Sequence, residues 1–389
     1  MKIASRMQKL SPSVTMAITT LARELKSQGK DILSFSAGEP DFDTPNVIKE
    51  AAIKAIQDGH TKYTAVEGTI ETKKAIISKL KKDNGLEYAP DEIVVSNGAK
   101  HSLFNLFQSL IQKGDEVIIP APYWVTYPEQ VKFSDGVPIF IETNDSTHFK
   151  ITAEQLKNAI TPNTRILLLN TPSNPTGAVY TKEEILSFGE ILKGTNIIVL
   201  SDEMYEKIMY DGKKFTAVAS VSDDMFQRTV TINGISKAVA MTGWRYGYLA
   251  TPNKLLLKTM ITFQGQVTSN VNSITLQAAI AALDGSADQD IEVMRKEFEK
   301  RRNIAVELFN DIEGLSCVVP DGAFYLFINI QDITTDSMKF VAELLEKEGV
   351  AVIPGLAFGA EGYFRFSFAT DEATIRTGIA RIKNFVENK

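Results

Sequence analysis

Residues 231–250 read TINGISKAVAMTGWRYGYLA, and this stretch decides how the rest of the chain is interpreted. The β-branched run at 230–232 is typical of a buried strand. Asn233 and Gly234 should end that strand, because both residue types favour turns. Small and apolar residues follow as far as Met241, and the stretch closes on a segment punctuated by glycine and rich in aromatic side chains. The pattern predicts a strand that opens into a loop.

The loop after this strand carries a lysine in an unusual setting. Lys237 follows the hydroxyl of Ser236, lies among small residues, and has Arg245 in the same stretch. A partly desolvated, cationic pocket lowers the pKa of an amine, and only the neutral amine can attack an aldehyde to form a Schiff base. Ser236 and the planar fork of Arg245 suit a phosphate. Taken alone, the same residues are explained equally well by a strand followed by a turn with solvated cations.

The bulk properties favour a soluble protein of two domains. At 389 residues the chain exceeds what one hydrophobic core usually holds. The net charge of −6 argues against a nucleic-acid surface, which needs a basic face. Cys317 is the only cysteine, which excludes an intrachain disulfide and favours a reducing compartment. Because the first residues lack the apolar core of a secretory signal and no apolar run reaches about 20 residues, we expect a cytoplasmic protein without membrane contact.

Strands and helices alternate through the first part of the chain. The predicted strands lie at residues 32–35, 92–95, 116–119, 137–141, 165–169, 197–200 and 229–232. The predicted helices lie at 13–26 (capped by Ser11 and Pro12), 44–57, 69–82, 101–111, 152–159 and 182–192. Such alternation indicates an α/β fold with a mainly parallel sheet covered by helices on both faces. Gly98, Asn174, Asp202 and Lys237 all come soon after predicted strands, so we expect them at the carboxyl edge of that sheet, where ligands bind.

The C-terminal part mixes shorter strands with long helices. Its predicted strands lie at 317–319, 323–328, 350–353 and 364–368. Its predicted helices, with those that lead into it, lie at 273–284, 289–308, 335–348 and 371–387. We expect residues 1–45 to form an N-terminal arm and part of a small domain, residues 46–290 a large domain, and residues 291–389 the small C-terminal domain.

Residues 231–250, together with motifs elsewhere in the chain, resemble the pyridoxal-phosphate (PLP) aminotransferases of class I, fold type I. The first match is Ser236-Lys237 followed by Met241-Thr242-Gly243-Trp244-Arg245-x-Gly247-Tyr248. The others, in the order of the family, are Ser36-Ala37-Gly38-Glu39-Pro40-Asp41-Phe42, Asn170-Thr171-Pro172-x-Asn174-Pro175-Thr176-Gly177, Ser201-Asp202-Glu203-x-Tyr205 and Arg365-Phe366-Ser367. The chain is most similar to the bacterial aspartate aminotransferases that carry an N-terminal Pro-Ser-x-Thr segment, here Pro12, Ser13 and Thr15. The resemblance implies a large domain with a seven-stranded, mainly parallel sheet and a smaller α/β domain.

The resemblance also implies which residues hold PLP. Lys237 would be the catalytic residue that carries the cofactor, and Asp202 would keep its ring nitrogen protonated. Asn174 and Tyr205 would bond its phenolic oxygen, and Trp124 would stack on its ring. The phosphate would be held by Gly98, Ala99, Lys100, Ser236, Arg245 and, across a dimer interface, Tyr63. For several of these residues ordinary structural roles remain open: a strand-end carboxylate for Asp202, turn chemistry for Asn174, and a core aromatic for Trp124.

The substrate residues follow from the same resemblance. Arg365 would hold the α-carboxylate in a two-point fork, assisted by Gly38 and Asn174, with Trp124 also facing the substrate. Because Phe364 and Phe366 alternate with Arg365, its side chain should point away from both of them. The distal carboxylate would be recognised by Ser13, Thr15 and Lys100. We therefore expect amino transfer from L-aspartate to 2-oxoglutarate, giving oxaloacetate and L-glutamate, with Lys237 as general base and acid.

Several alternatives remain open at this stage. Prephenate-accepting relatives tend to have Lys before the Pro-Ser segment, whereas this chain has Ser11. Glutamate, aromatic or alanine specificity, a PLP-dependent lyase and a non-catalytic PLP-fold module keep the same scaffold. A dinucleotide-binding oxidoreductase is disfavoured, because no Gly-x-Gly-x-x-Gly follows the first strand. The expected partners are an amino acid, a 2-oxo acid and a second copy of the chain that shares the active sites. His60, His101 and His148 are not spaced as a metal site, and we expect no metal.

Overall fold

The computed structural model of the chain describes residues 2–388. Residues 1 and 389, which belong to the predicted N-terminal arm and the predicted C-terminal domain, lie outside the described residues. The α-helices are α1 Val14–Ser27, α2 Asn46–Gln57, α3 Ile70–Asn84, α4 Ala99–Leu110, α5 Thr126–Phe133, α6 Ala153–Ala159, α7 Lys182–Leu192, α8 Asp223–Arg228, α9 Lys254–Val267, α10 Ser273–Leu283, α11 Asp288–Asn310, α12 Ser337–Glu348 and α13 Glu372–Glu387. Short 3-10 helices lie at Ser5–Lys9, Pro90–Glu92, Asp145–Thr147, Val218–Ser220, Thr242–Trp244 and Gly355–Phe358.

The strands form a seven-stranded, a four-stranded and a two-stranded sheet. They are β1 Leu33–Ser34, β2 Ile93–Ser96, β3 Glu116–Ala121, β4 Val137–Glu142, β5 Thr164–Asn170, β6 Ile198–Asp202, β7 Thr229–Gly234, β8 Gly247–Ala250, β9 Ser316–Cys317, β10 Tyr325–Asn329, β11 Val350–Ala351, β12 Ile353–Pro354 and β13 Tyr363–Ser367. The large sheet has the order β2-β8-β7-β6-β5-β3-β4. The inner strands β5 and β6 carry continuous apolar runs at residues 166–169 and 198–200, as expected of a sheet covered on both faces. The predicted α/β fold is confirmed.

The pairing of the large sheet brings the ends of separate strands to one edge. The strands β3 to β7 run parallel to one another, while β8 is antiparallel to both β7 and β2. Two antiparallel steps restore the original direction, so β2 ends at the same edge as β5, β6 and β7. Asn170 and Asp202, the last residues of β5 and β6, are paired in register. This edge is therefore where the loops after β2, β5, β6 and β7 meet.

The C-terminal sheet joins residues that are far apart in sequence. β13 pairs antiparallel with β10, where Arg365 lies opposite Phe327. β1 pairs in parallel with β11, matching Leu33 with Val350. One hydrophobic cluster covers this part and contains both Phe364 and Phe366. Three further clusters cover the faces of the large sheet. The N-terminal strand β1 is thus paired with a strand of the C-terminal part.

Some local predictions are wrong. Helix α1 is capped by Ser13, whose side chain accepts from the Met16 amide, and not by Ser11 and Pro12. Strand β7 continues through Asn233 and Gly234 instead of ending before them. The added Cβ of residue 234 would lie 2.8 Å from the Tyr246 carbonyl oxygen, so glycine there permits the close approach of β8 and does not break the strand. Helices α5, α8 and α9 and strand β8 were not predicted.

Candidate active site

The carboxyl edge of the large sheet borders a cavity of ≈ 330 Å³. Most residues singled out from the sequence line it: Ser13, Thr15, Gly38, Ala99, Lys100, Trp124, Asn174, Asp202, Tyr205, Ser236, Lys237, Arg245 and Arg365. Gly98 lies directly behind this wall, against Arg245. Tyr63 is not among the lining residues, and its side chain is 90% exposed. The chain thus brings together every predicted site residue except Tyr63.

Lys237 reaches the cavity from the loop that follows β7. Its Nζ donates a hydrogen bond to the carbonyl oxygen of Gly38. Burial lowers the pKa of Lys237 to about 8. Glu39 and Asp202 oppose that shift, whereas the positive charges of Arg365 and Arg245 add to it. About a tenth of the amine is therefore neutral at pH 7, far more than for an ordinary lysine, and the neutral form acts as a nucleophile or base.

Asp202 lies at the end of β6 with its carboxylate buried. Its Oδ2 accepts a hydrogen bond of 2.7 Å from the Tyr127 hydroxyl, and its Oδ1 accepts one of 3.2 Å from the Met204 amide. Burial raises the pKa of Asp202, while these two hydrogen bonds and the charge of Lys237 act in the opposite direction. A buried carboxylate supported in this way can hold a protonated ring nitrogen.

The end of α4 nearest the cavity forms a cradle for an anion. Gly98 precedes the helix with φ +86°, and a Cβ there would lie 2.4 Å from Nη2 of Arg245. A Cβ at Gly247 would lie 2.3 Å from the Ala99 amide nitrogen. Both glycines thus let backbone and guanidinium approach the first turn of α4, where amides point outward. Ser236 and Arg245 complete a donor set of the kind that binds phosphate.

Trp124 and Lys100 form one wall of the cavity. The Lys100 ammonium lies 4.9 Å from the centroid of the Trp124 ring, within range of a cation–π contact. Burial, together with the charge of Arg245, lowers the pKa of Lys100. The Trp124 ring also meets Tyr127 edge to face, with the centroids 5.3 Å apart. The indole is therefore in contact with both a cation and an aromatic ring.

Arg365 is almost fully buried, with 2% of its surface exposed. Its Nη1 donates to Oδ1 of Asn174 at 2.9 Å and its Nη2 to the carbonyl oxygen of Ser36 at 2.8 Å. The guanidinium carbon lies 4.4 Å from the Tyr325 ring centroid and 5.1 Å from that of Phe358. Within residues 2–388 no carboxylate forms an ion pair with it, and its Nε has no hydrogen-bond partner. The predicted alternation is confirmed, because Arg365 lines the cavity while Phe364 and Phe366 lie in the hydrophobic cluster.

The N-terminal segment adds residues with hydroxyl groups to the cavity lining. Ser13 caps α1 and also lines the cavity. The hydroxyl of Thr15 is buried and, among the described residues, has no hydrogen-bond partner. The segment is attached to α5 and the turn after it, because the Ser11 amide donates a hydrogen bond of 2.6 Å to Glu129 and the Lys9 ammonium pairs with Asp135. Ser13 and Thr15 therefore line the same cavity as Lys100.

Among the lining residues that were not assigned to the site from the sequence, three bear on its chemistry: Tyr127, Asn170 and Tyr325. Asn170 ends β5, and its Oδ1 accepts from the Asn174 amide at 2.8 Å. It belongs to a motif already quoted, so its position at a strand end was an available signal. Tyr127 lies on the unpredicted helix α5. Tyr325 reaches the cavity only through the pairing of β10 with β13, and its hydroxyl lies 2.9 Å from that of Tyr205. No local pattern marks either tyrosine.

The arrangement fits pyridoxal 5′-phosphate. The cradle beside Gly98 suits the phosphate, the buried carboxylate of Asp202 suits the ring nitrogen, and Lys237 offers an amine of lowered pKa for the aldehyde. A seven-stranded sheet of this order with these groups at its carboxyl edge defines a PLP-binding transferase fold. Among residues 2–388, no three His, Cys, Asp or Glu side chains are grouped to hold a metal ion.

Comparison with known proteins identifies the family. The profile of the family described as aminotransferase class I and II matches residues 30–382. An aspartate aminotransferase of Geobacillus stearothermophilus is 48% identical, with 100% of this chain and 99% of that protein covered. An aspartate/prephenate aminotransferase of Nitrosomonas europaea is 47% identical, with coverage of 99% and 100%. The crystal structure of the aspartate aminotransferase from Rhizobium meliloti superposes with a TM-score of 0.96 at 43% identity, covering 100% of this chain and 99% of that one. The chain belongs to the class I and II aminotransferases.

No helix within residues 2–388 combines the length and the apolar character needed to cross a bilayer.

The lone cysteine, Cys317, is partly buried, and burial raises its pKa to about 12. A thiol of that kind is a poor nucleophile at neutral pH. It therefore adds no chemistry to the cavity described above.

Proposed function

We propose that this chain is an aspartate aminotransferase, which moves the amino group of L-aspartate to 2-oxoglutarate and gives oxaloacetate and L-glutamate. One observation carries the proposal: an amine of lowered pKa, a buried carboxylate and a buried arginine that has no acidic partner among residues 2–388 all line one cavity. The names of the relatives at 47–48% identity support aspartate as the donor.

The residues that would hold the cofactor follow from the cavity. Lys237 would carry its aldehyde, Asp202 would pair with its ring nitrogen, and Trp124 would cover its ring. Asn174 and Tyr205 would bond its phenolic oxygen. The phosphate would lie against Gly98, Ala99, Lys100, Ser236 and Arg245. When bound, the cofactor supplies a carbonyl that accepts the amino group and a ring that delocalises the electrons left when the α-proton departs.

The residues that would hold the substrate differ in charge and position. Arg365 would bind the α-carboxylate through two parallel hydrogen bonds, with Asn174 fixing the guanidinium plane and Gly38 forming the adjoining wall. Tyr325 and Phe358 stack against that plane and resist its rotation. Lys100 lies elsewhere in the cavity wall and would meet the distal carboxylate, with Ser13 and Thr15 donating hydroxyls. Cations at separate positions favour a dicarboxylate over a monocarboxylate.

Lys237 would move the proton. Because burial holds its pKa at about 8, Nζ is neutral in part of the population and can take up the α-proton of the donor. The resulting ammonium lies near Asp202 and Glu39, whose negative charges favour it. Within the same half-reaction Nζ would pass that proton on to the bound cofactor, and in the second half-reaction it would move a proton from the cofactor to the α-carbon of the 2-oxo acid that accepts the amino group. The donor's oxo acid must leave before the acceptor enters the same cavity, so ping-pong kinetics are expected.

We also propose that the chain acts as a homodimer in the cytoplasm. Tyr63 is 90% exposed, which supports its assignment to the phosphate site of a second copy. Exposed apolar side chains such as Ile56, Ile70 and Val267 supply the kind of surface that a dimer buries. The division into residues 1–45, 46–290 and 291–389 is part of the same proposal, and the pairing of β1 with β11 supports it. Helix α11 would cross the second boundary.

Prephenate is a second candidate acceptor. It is favoured by the relative at 47% identity named aspartate/prephenate aminotransferase. Ser11 argues against it, since that position lacks the additional cation expected of prephenate-accepting enzymes. Its side chain is exposed and its amide is bonded to Glu129, so a cation there would lie next to an acidic group. The two acceptors are separated by the experiment below.

A screen of amino donors against 2-oxo acid acceptors tests the proposal. Aspartate with 2-oxoglutarate should give the highest kcat/KM, and prephenate should give at least tenfold less. Lys237→Ala should bind substrate but lose at least about a thousandfold in kcat, because it lacks the base. Lys193→Ala, which removes an exposed lysine on the surface, is the matched control and should keep full activity. Aspartate turnover by Lys237→Ala at the wild-type rate would end the proposal.

A further inference from the structure

Tyr127 occupies a position that the reaction scheme above does not use. It lies in the first turn of α5, and only 1% of its surface is exposed. Its hydroxyl donates to Oδ2 of Asp202 at 2.7 Å, and its amide donates to the Trp124 carbonyl oxygen at 3.0 Å. Its ring meets the Trp124 ring edge to face at an interplanar angle of 83°. One side chain therefore contacts both the buried acid and the indole.

We propose that Tyr127 is a positioning residue that keeps Asp202 ionised and holds its carboxylate, together with the Trp124 ring, in the geometry required by the cofactor. This inference rests on the proposed function. According to this inference, Tyr127 controls the charge of Asp202, the carboxylate that would face the ring nitrogen of the cofactor.

The hydroxyl can act only as a donor to this carboxylate. Burial, and then the negative charge of Asp202, raises the pKa of Tyr127 well above its ordinary value, so the phenol keeps its proton throughout the working pH range. Among the described residues, Tyr127 is the one side chain that donates a hydrogen bond to the Asp202 carboxylate. The second donor is the Met204 amide, at the longer distance of 3.2 Å. Loss of the hydroxyl would leave Oδ2 buried without a donor.

The other groups near Asp202 cannot replace this hydrogen bond. Lys237 contributes a positive charge from the β7–β8 loop, but its Nζ is bonded to Gly38 and must lose its proton to act as a base. The Tyr205 hydroxyl is bonded to Tyr325. The Asn170 amide donates to the backbone oxygen of Asp202 and not to its carboxylate. The burial that raises the pKa of Asp202 is therefore opposed chiefly by Tyr127.

The test uses Tyr127→Phe, which keeps the ring against Trp124 and removes only the hydroxyl. The control is Tyr180→Phe, another buried tyrosine, whose hydroxyl accepts from the Ile151 amide away from Asp202. PLP affinity of the apoenzyme is measured by fluorescence titration between pH 5 and 9. Without the hydroxyl the pKa of Asp202 rises, so its carboxylate protonates at higher pH. The acid limb of PLP affinity should therefore move to higher pH in Tyr127→Phe and stay in place in Tyr180→Phe.

The holoenzymes are compared in the same series. A hydrogen bond to a charged group typically contributes about 1.5–3 kcal/mol, which corresponds to roughly ten- to a hundredfold. Tyr127→Phe should lose about tenfold in kcat while KM for aspartate stays within about twofold, because the carboxylate sites are untouched. In an Asp202→Asn background the same substitution should have no further effect, since the charge through which Tyr127 acts is gone.

A second variant guards against loss of the fold. Tyr127→3-fluorotyrosine keeps the size and the hydroxyl but makes the phenol a stronger donor, so the acid limb should move to lower pH, opposite to Tyr127→Phe. Unshifted limbs in both variants, or equal losses in wild-type and Asp202→Asn backgrounds, would overturn the inference. Failure of the wild-type enzyme to transaminate would instead overturn the proposed function, so the two failures are distinguishable.

Discussion

Two buried arginines of this chain have similar aromatic surroundings, but only one of them forms an ion pair within the described residues. Arg302 and Arg365 are each 2% exposed, and each guanidinium stacks on a tyrosine, at 4.8 Å for Tyr210 and 4.4 Å for Tyr325. Arg302 forms a two-point fork with Asp211 at 2.6 and 2.7 Å. Arg365 bonds only an amide oxygen and a backbone carbonyl, with no ion pair among the described residues.

This difference distinguishes an arginine that stabilises the fold from one that is expected to bind the substrate. A buried charge is costly unless a partner neutralises it, and Arg302 has that partner within the chain. Lys79 with Glu206 is a second buried pair of the same kind. Arg365 lacks such a carboxylate, and its Nε has no hydrogen-bond partner in the described residues. In the cavity, by contrast, cationic groups lack a neutralising carboxylate from the described residues. An anionic substrate would supply that negative charge.

The largest effect is expected for Arg365→Leu. Loss of two charge-assisted hydrogen bonds to the α-carboxylate should cost about 4 kcal/mol in transition-state binding, or roughly a thousandfold in kcat/KM. The free energy of unfolding should stay unchanged or rise, because an uncompensated buried charge is removed. Steady-state kinetics and denaturant unfolding measure the two effects. Arg365→Lys, which keeps the charge without the fork, should fall between, and a wild-type KM for Arg365→Leu would refute the assignment.

Arg302→Leu should give the reverse result. It breaks the fork with Asp211 and the hydrogen bond to the Pro320 carbonyl oxygen, so we expect the free energy of unfolding to fall by about 2 kcal/mol. The folded enzyme should keep its kcat/KM within about twofold, because none of these groups lines the cavity. Chemical denaturation followed by assay of the folded fraction tests both statements. A thousandfold loss of activity with unchanged stability would erase the contrast between the two arginines.

The third prediction concerns the pH at which Lys237 loses its proton. An ordinary lysine titrates near 10.5, whereas burial lowers the pKa of Lys237 to about 8. Since the neutral amine reacts, acetylation of Lys237 in the apoenzyme should rise with pH and reach half its maximum near 8. Competitive labelling with acetic anhydride and mass spectrometry measures that midpoint, with a lysine peptide as reference. A midpoint near 10.5 would mean that the cavity does not desolvate the amine.

The smallest effect is expected for Lys100→Gln. If Lys100 meets the distal carboxylate, KM for aspartate should rise about fivefold to tenfold, as loss of one partly solvated contact predicts. KM for alanine, which has no distal carboxylate, should change by less than about twofold. Comparing the two donors separates substrate recognition from a general effect on the cofactor site. Equal increases for both donors would reassign Lys100 to phosphate binding alone.

The parts of the fold predicted from sequence were those with strong local signals. The apolar runs of β5 and β6 and the capped, amphipathic helices α3 and α13 were found within a few residues. Helix α5 was missed because it follows a proline-rich turn and contains Pro128 in its first turn, where proline is tolerated. Strand β8 was missed because its glycine-punctuated sequence is held in the sheet by β2 and β7 on either side.

Position at the ends of strands explains part of the site, whereas Ser13, Trp124 and Arg365 were assigned through the family resemblance. Asp202 ends one strand of the large sheet, Asn174 and Lys237 follow two others, and parallel pairing brings these strand ends together. Tyr325 could not be found in this way, because only the long-range pairing of β10 with β13 places it beside Arg365. Tyr127 depended on the missed helix. The role of Tyr63 stays a prediction, since its exposed side chain lies outside this chain's own cavity.

One measurement tests the central claim most directly. Borohydride reduction of the holoenzyme fixes the cofactor to the amine that carries it, and peptide mapping then locates the pyridoxyl label. A single labelled peptide with the modification on Lys237 is the predicted result. A label on Lys100 or any other lysine, or no label on an active enzyme, would contradict the assignment of this cavity and the transamination built on it.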